Sequence, residues 1–210
     1  MMKLFGTLTF LGLVMALTAT AQMTPVLDTS GQEVRRGVRY YIKPAITDNG
    51  GPFTLIDRNG TCPWYVGQQN VSTGGISVTF DPYVEGENVV RESRNFRVSF
   101  SDDNDPCDDA TTWKVGDREV ETQRRLIVTE DLDDGEDEEE KKKPENYFYV
   151  YKNETSGNVN ELYRLRWCPS EFCALCRYEC GFVGVLFENG KRLLALNDSA
   201  SALPVVFERL

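Results

Sequence analysis

The sequence predicts an all-β protein whose short strands close into a barrel or trefoil, and three observations carry that reading. Apolar and polar residues alternate in Ile76-Ser77-Val78-Thr79-Phe80 and again in Phe96-Arg97-Val98-Ser99-Phe100, the period-two signature of a strand with one buried face. Turn chemistry punctuates the chain at Asn49-Gly50-Gly51-Pro52, Asn59-Gly60, Gly74-Gly75 and Asn189-Gly190, where glycine or asparagine admits the backbone reversals that hairpins need. No stretch sustains a 3.6-residue period with caps at both ends. With 210 residues, 40% of them apolar, the chain has material for one good-sized core.

The expected strands follow in order. Residues 39–42 and 53–56 flank the Asn-Gly-Gly-Pro turn. Asn59-Gly60 then separates the second run from residues 64–66, and Gly74-Gly75 precedes 76–80. Residues 96–100, 113–115, 125–128 and 147–151 form the next four runs, and 162–167, 183–187, 192–196 and 205–208 the last four. Closure removes the exposed edges that so many short strands would otherwise leave. A two-sheet sandwich is the alternative arrangement of the same runs.

The amino terminus reads as a leader. Lys3 precedes an apolar stretch over residues 4–17, and Ala19-Thr20-Ala21 fits a small-x-small cleavage site, so residues 1–21 are expected to be a signal peptide and 22–210 the mature domain. The apolar stretch is shorter than the ~20 residues a spanning helix requires. A secreted protein, extracellular or vacuolar, is the expectation, with no membrane partner. The balance of 23 Lys+Arg against 33 Asp+Glu leaves a net charge of -10. That sign excludes the basic footprint a nucleic-acid binder uses. The chain has no histidine, which removes Ser-His-Asp and Cys-His catalysis and histidine-ligated metals. No nucleophile-base-orienter set can be assembled, so no enzyme and no cofactor are expected.

Two features could carry binding chemistry. From Glu130 to Glu140 nine of eleven residues are acidic, followed by three lysines. The spacing lacks the alternating ligands of a calcium loop, and residues 130–143 read as a solvated insertion between strands. Asn59, Asn70, Asn153 and Asn197 each begin an Asn-x-Ser/Thr sequon and are glycosylation candidates. Cys62 and Cys107 stand apart, whereas Cys168, Cys173, Cys176 and Cys180 crowd into thirteen residues. A zinc ribbon would show two separated Cys-x-x-Cys knuckles, and this cluster holds one. A thioredoxin-type site would place that motif at a helix start, which the strand-rich context denies. Disulfides fit an oxidising compartment best, and spacing alone leaves their connectivity open.

The run Val26-Leu27-Asp28-Thr29-Ser30-Gly31-Gln32-Glu33-Val34, followed by Tyr40-Tyr41-Ile42, resembles the amino-terminal signature of plant Kunitz-type soybean trypsin inhibitors, departing from it at Ser30. Cys62-Pro63, Leu162-Tyr163-Arg164-Leu165-Arg166-Trp167-Cys168-Pro169 and Gly190-Lys191-Arg192-Leu193-Leu194-Ala195-Leu196 resemble further landmarks of that family, and the extra pair Cys173 and Cys176 resembles its miraculin-like branch. The resemblance implies a twelve-stranded β-trefoil with pseudo-threefold symmetry and the pairings Cys62–Cys107, Cys168–Cys180 and Cys173–Cys176. It also implies a secreted, monomeric inhibitor, with a role in defence, that presents a substrate-like loop to a serine protease. In the family that loop follows a Pro-Tyr step between the first two cysteines, here Asp81, Pro82, Tyr83, Val84, Glu85, Gly86, Glu87, Asn88 and Val89. Val84 would fill the specificity pocket, with Glu85 and Glu87 beside it, which favours an elastase-like or subtilisin-like partner over trypsin. Arg36 replaces the family's loop-supporting Asn and is expected to weaken the loop's preorganisation, because guanidinium offers donors only. The alternative implied by the miraculin-like branch is a non-inhibitory storage or recognition protein.

Overall fold

Alternation writes itself directly into the strands. The computed structural model describes residues 23–46, 50–101, 107, 110–131, 143–152, 162–173 and 175–210. The expected leader, the core of the acidic insertion and the Asn153 sequon lie outside these residues. Twelve strands occur in chain order: β1 (Tyr40–Pro44), β2 (Phe53–Ile56), β3 (Tyr65–Gln68), β4 (Val78–Pro82), β5 (Phe96–Phe100) and β6 (Thr112–Arg118), then β7 (Arg125–Glu130), β8 (Phe148–Lys152), β9 (Tyr163–Trp167), β10 (Gly181–Glu188), β11 (Lys191–Asn197) and β12 (Pro204–Arg209). β1, β4, β5 and β9 each alternate buried and half-exposed residues without interruption.

Six of the strands close a ring. β1 pairs with β4, β4 with β5, β5 with β8, β8 with β9, β9 with β12, and β12 returns to β1, every pair antiparallel. The other six form the hairpins β2–β3, β6–β7 and β10–β11. These hairpins pair with one another at Tyr65↔Val128, Ala195↔Leu126 and Leu193↔Gly67. A closed barrel carrying a triplet of mutually paired hairpins is the β-trefoil, and the sandwich alternative does not stand.

Inward side chains of the ring fill the barrel. Phe80 meets Phe96 and Phe207 edge-on, both at 5.4 Å between ring centroids, and Tyr40 at 5.8 Å. These edge-to-face contacts add to the stabilisation from burying apolar area. Trp113 of β6 joins hairpin to barrel, touching Phe53, Phe100 and Phe148.

Strand ends moved by a few residues. β6 runs three residues beyond the expected 113–115, because Arg118 pairs with Arg125 across a register shift after Val115, and starts one residue earlier, at Thr112. Its outer residues are polar and carry no alternation to read. Glu130, placed in the insertion by composition, is instead the last residue of β7. Its carboxylate accepts hydrogen bonds from Lys114 Nζ (2.8 Å) and Asn146 Nδ2 (2.5 Å), which draws it out of the acidic run and into the sheet. At the other end of that segment, Lys143 leads into a short 3-10 turn, Pro144–Asn146.

The structure joins Cys62 to Cys107, Cys168 to Cys180 and Cys173 to Cys176, with Cα separations of 5.7, 4.7 and 5.3 Å. No cysteine is free, so the zinc and redox alternatives have no thiol to work with. No helix among the described residues is long and apolar enough to cross a membrane.

One cation ties the hairpin triplet together. Arg58, just past β2, donates to both carboxylate oxygens of Glu119 in the β6–β7 turn and to both of Glu188 at the end of β10, the latter at 2.7 Å each. Its guanidinium also lies over the Tyr65 ring at 5.1 Å. The side chain is 16% exposed, so the charges interact with less screening than a surface pair would.

Replacing Arg58 by Met would leave two carboxylates facing each other without a counter-charge, and should lower stability by about 2–4 kcal/mol in denaturant unfolding at neutral pH. Hydrogen bonds from Arg58 hold the Glu188 carboxyl below its ordinary value. The clamp's stabilisation is therefore complete above that ordinary value and is lost as the pH falls beneath it. The gap between the unmodified protein and the variant should narrow on acidification. A gap that stays constant down to acid unfolding would refute the clamp.

Candidate functional site: the β4–β5 loop

The loop opens where β4 loses its partner. Asp81 pairs with Arg97 and Pro82 with Phe96, and a last backbone bond runs from the Tyr83 amide to Asn95 O at 2.9 Å. Beyond it the chain reverses between Val84 and Glu87, where the Glu87 amide donates to Val84 O at 3.1 Å. Gly86 sits at φ +80°, a left-handed backbone that a residue with a Cβ adopts only at a cost. Glu85, Gly86 and Asn88 are exposed, and Val84, Glu87 and Val89 are half-buried.

The two limbs are held by different parts of the chain. On the entering limb, Tyr83 packs between Tyr147 (5.3 Å) and Phe172 (4.6 Å), which also touch each other at 4.7 Å. Burial pushes the Tyr147 phenol up, so it stays neutral within this trio. Glu171 accepts from the Asn95 amide at 2.7 Å and pairs with Arg94 at 3.1 Å. On the returning limb, the amino-terminal segment acts as a strap: Val89 bridges Arg35, the Arg36 amide donates to Asn88 O, the Val90 amide donates to Val34 O, and the Val26 amide donates to Val90 O. Arg91 Nη1 donates to Met23 O at 2.8 Å.

Arg36 corrects the expectation that this substitution weakens the loop. Its guanidinium donates to Pro82 O at 3.1 Å and pairs with Asp81 at 2.7 Å, while its own amide holds Asn88. One residue thus grips both limbs. A donor-only side chain serves because its partners here are a carbonyl and a carboxylate. Asp81 also receives Arg97 from β5.

The sequence-expected residues 81–89 are therefore contiguous and tethered, but their supports come from far away in the chain. Tyr147 read only as the start of an expected strand, and Glu171 and Phe172 carried no signal beyond their proximity to the cysteine cluster. The carboxylates of 81–89 are Asp81, held by Arg36 and Arg97, and Glu85 and Glu87 on the turn, and what the loop offers is a surface for contact. Among the described residues no acidic or cysteine group is arranged to hold a metal ion.

The described sequons differ from one another. Asn59 is exposed and its Oδ1 accepts from Thr61 Oγ1 at 3.0 Å. Asn70 is exposed, with Nδ2 donating to Gly190 O at 3.3 Å. Asn197 Nδ2 donates to Ala195 O at 3.2 Å and would lie 2.6 Å from a Cβ placed on Gly184. A glycan on that nitrogen would meet the β10–β11 backbone.

A model of a family described as trypsin and protease inhibitor matches residues 26–209. A Kunitz type trypsin inhibitor of Medicago truncatula is 42% identical, over 94% of this chain and 92% of its own length. Miraculin of Synsepalum dulcificum is 32% identical, over 90% of this chain and 84% of its own. Among solved structures, a Kunitz-type cysteine protease inhibitor from potato superposes with a TM-score of 0.74 at 27% identity, covering 90% of this chain and 98% of its own.

Arg36→Ala should cost no more than about 1 kcal/mol of global stability, because both partners are substantially exposed. It should nevertheless raise amide hydrogen exchange in residues 83–90 several-fold while leaving the barrel strands unchanged. Unaltered exchange in the loop would mean that the aromatic trio and the strap suffice without it.

Proposed function

Since the chain belongs to the plant Kunitz family of trypsin and protease inhibitors, we propose that it is a secreted serine protease inhibitor acting through insertion of the β4–β5 loop, with Val84 at the contact position. Family members inhibit proteases rather than acting as enzymes. The observation that carries the reading is the two-sided tether of residues 83–90. A loop held before docking loses little conformational entropy on binding, so a small contact binds tightly.

The specificity follows from charge. Trypsin's pocket holds a buried carboxylate, and an inserted Val84 leaves that charge unpaired. Glu85 and Glu87 bring further charge of the wrong sign. A small apolar pocket, elastase-like or subtilisin-like, suits Val84 better. Three disulfides agree with passage through an oxidising compartment, consistent with secretion and with a role in defence. Glycans are expected on Asn59 and Asn70 before Asn197.

One observation favours the second reading, a non-inhibitory protein like miraculin. The Val84 carbonyl is already engaged by the Glu87 amide, and the turn folds the chain back just where a bound substrate runs extended. A protease would have to open that bond.

Inhibition constants of the mature protein against trypsin, chymotrypsin, elastase and subtilisin test both readings. Elastase or subtilisin should be bound more tightly than trypsin, and Val84→Arg should gain trypsin affinity by roughly a hundredfold. Tight trypsin inhibition by the unmodified protein would overturn the Val84 assignment. No inhibition across the panel, with no gain from Val84→Arg, would establish the non-inhibitory reading.

A further inference from the structure

The most exposed large apolar side chain in the described structure is Leu175, at 94%. A lone exposed leucine needs no explanation; its setting does. It sits in the loop between β9 and β10, whose base is closed by Cys168–Cys180 and whose tip is closed again by Cys173–Cys176. Both limbs are pinned. Phe172 packs on Tyr83 and Tyr147, Glu171 holds Asn95 and Arg94, and on the other limb Tyr178 meets Trp167 edge-on at 5.9 Å. Successive backbone bonds, Phe172 N to Pro169 O and Cys176 N to Cys173 O, tighten what the disulfides enclose. An apolar side chain is thus held out in water on a doubly cross-linked mount.

That mount is bolted to the candidate inhibitory loop. Tyr83, which Phe172 touches, immediately precedes Val84, and Leu175 follows Phe172 by three residues, a reach of at most about 10 Å. A protease inhibitor interface covers roughly 800 Å² on each partner, an extent wide enough for a protease seated on Val84 to reach this loop.

We propose that Leu175 is a preorganised apolar anchor that docks on the rim of the serine protease held by the Val84 loop, outside its specificity pocket. The inference rests on the inhibitory reading above. Leu175 is not itself a scissile-like residue. It lies between two cysteines that are covalently joined and share a backbone bond, whereas Val84 is preceded by the extended residues of β4. Its contribution is buried apolar area delivered with little ordering cost.

The test uses the full mature protein with subtilisin and elastase as probes. Leu175→Ala should weaken inhibition several-fold and Leu175→Asp by roughly tenfold or more, chiefly through faster dissociation. The Cys173→Ser/Cys176→Ser double variant keeps the leucine but frees its mount, and should weaken inhibition about as much as Leu175→Ala. Melting temperatures of the two Leu175 variants should match that of the unmodified protein, and Val84→Asp should abolish inhibition. Inhibition by Leu175→Asp within twofold of the unmodified protein, with Val84→Asp inactive, would overturn the anchor and leave the Val84 reading standing. Loss through Leu175→Asp with Val84→Asp unaffected would overturn both, because Leu175 would then be the pocket contact. So would inhibition of neither probe.

Discussion

The pairing of the first strand with the last is the contact on which the rest of the molecule depends. β1 and β12 run in register from Tyr40↔Arg209 to Pro44↔Val205, and without that seam the ring is an open sheet with two unpaired edges. The seam also gathers the amino-terminal strap. The Tyr40 hydroxyl accepts from the Arg35 amide and from Arg209, the Tyr163 hydroxyl accepts from the Leu27 amide, and Arg209 faces buried Asp28 at 3.3 Å. Burial alone would raise the Asp28 carboxyl, but hydrogen bonds from Ser30 and Gln32 and the Arg209 charge hold it below its ordinary value. A buried carboxylate thereby stays ionised at the point where strap and barrel meet.

From that seam the supports run outward in one chain of contacts. The strap lies along the returning limb of the β4–β5 loop, Arg36 crosses from strap to entering limb, and Tyr83 carries the contact on to Phe172 and the disulfide-closed loop. A loop assembled in this way has little internal freedom left to lose on docking. The price is dependence on distant residues: the loop's geometry is set by residues 26–36 and by Tyr147, Glu171 and Phe172 as much as by its own sequence.

The hairpin triplet is organised by a different principle. Its contact with the barrel is apolar, through Trp113, whereas the hairpins meet around the Arg58 charge. Three turns that are unrelated in sequence find one register because a single guanidinium must satisfy carboxylates from two of them.

By itself the sequence determined the strand order, the all-β class and the chemistry that the chain lacks. Those follow from local rules: alternation such as 96–100 is a property of neighbours in the chain, and the absence of histidine is a property of composition. It also singled out residues 81–89 as a candidate contact loop, through a Pro-Tyr step that resembles a family pattern. Tertiary structure alone decided what holds those residues. Arg36 read as a defect in the sequence and is a clamp in the fold, because its value depends on a carbonyl 46 residues away. Glu130 read as part of an acidic run and is a strand residue, because Lys114 and Asn146 reach it across the sheet. Leu175 carries no mark of its own in the sequence, and its setting appears only when Phe172 is seen against Tyr83. Contacts between residues distant in sequence carry no periodic signal, and it is the closure of the barrel that brings them together.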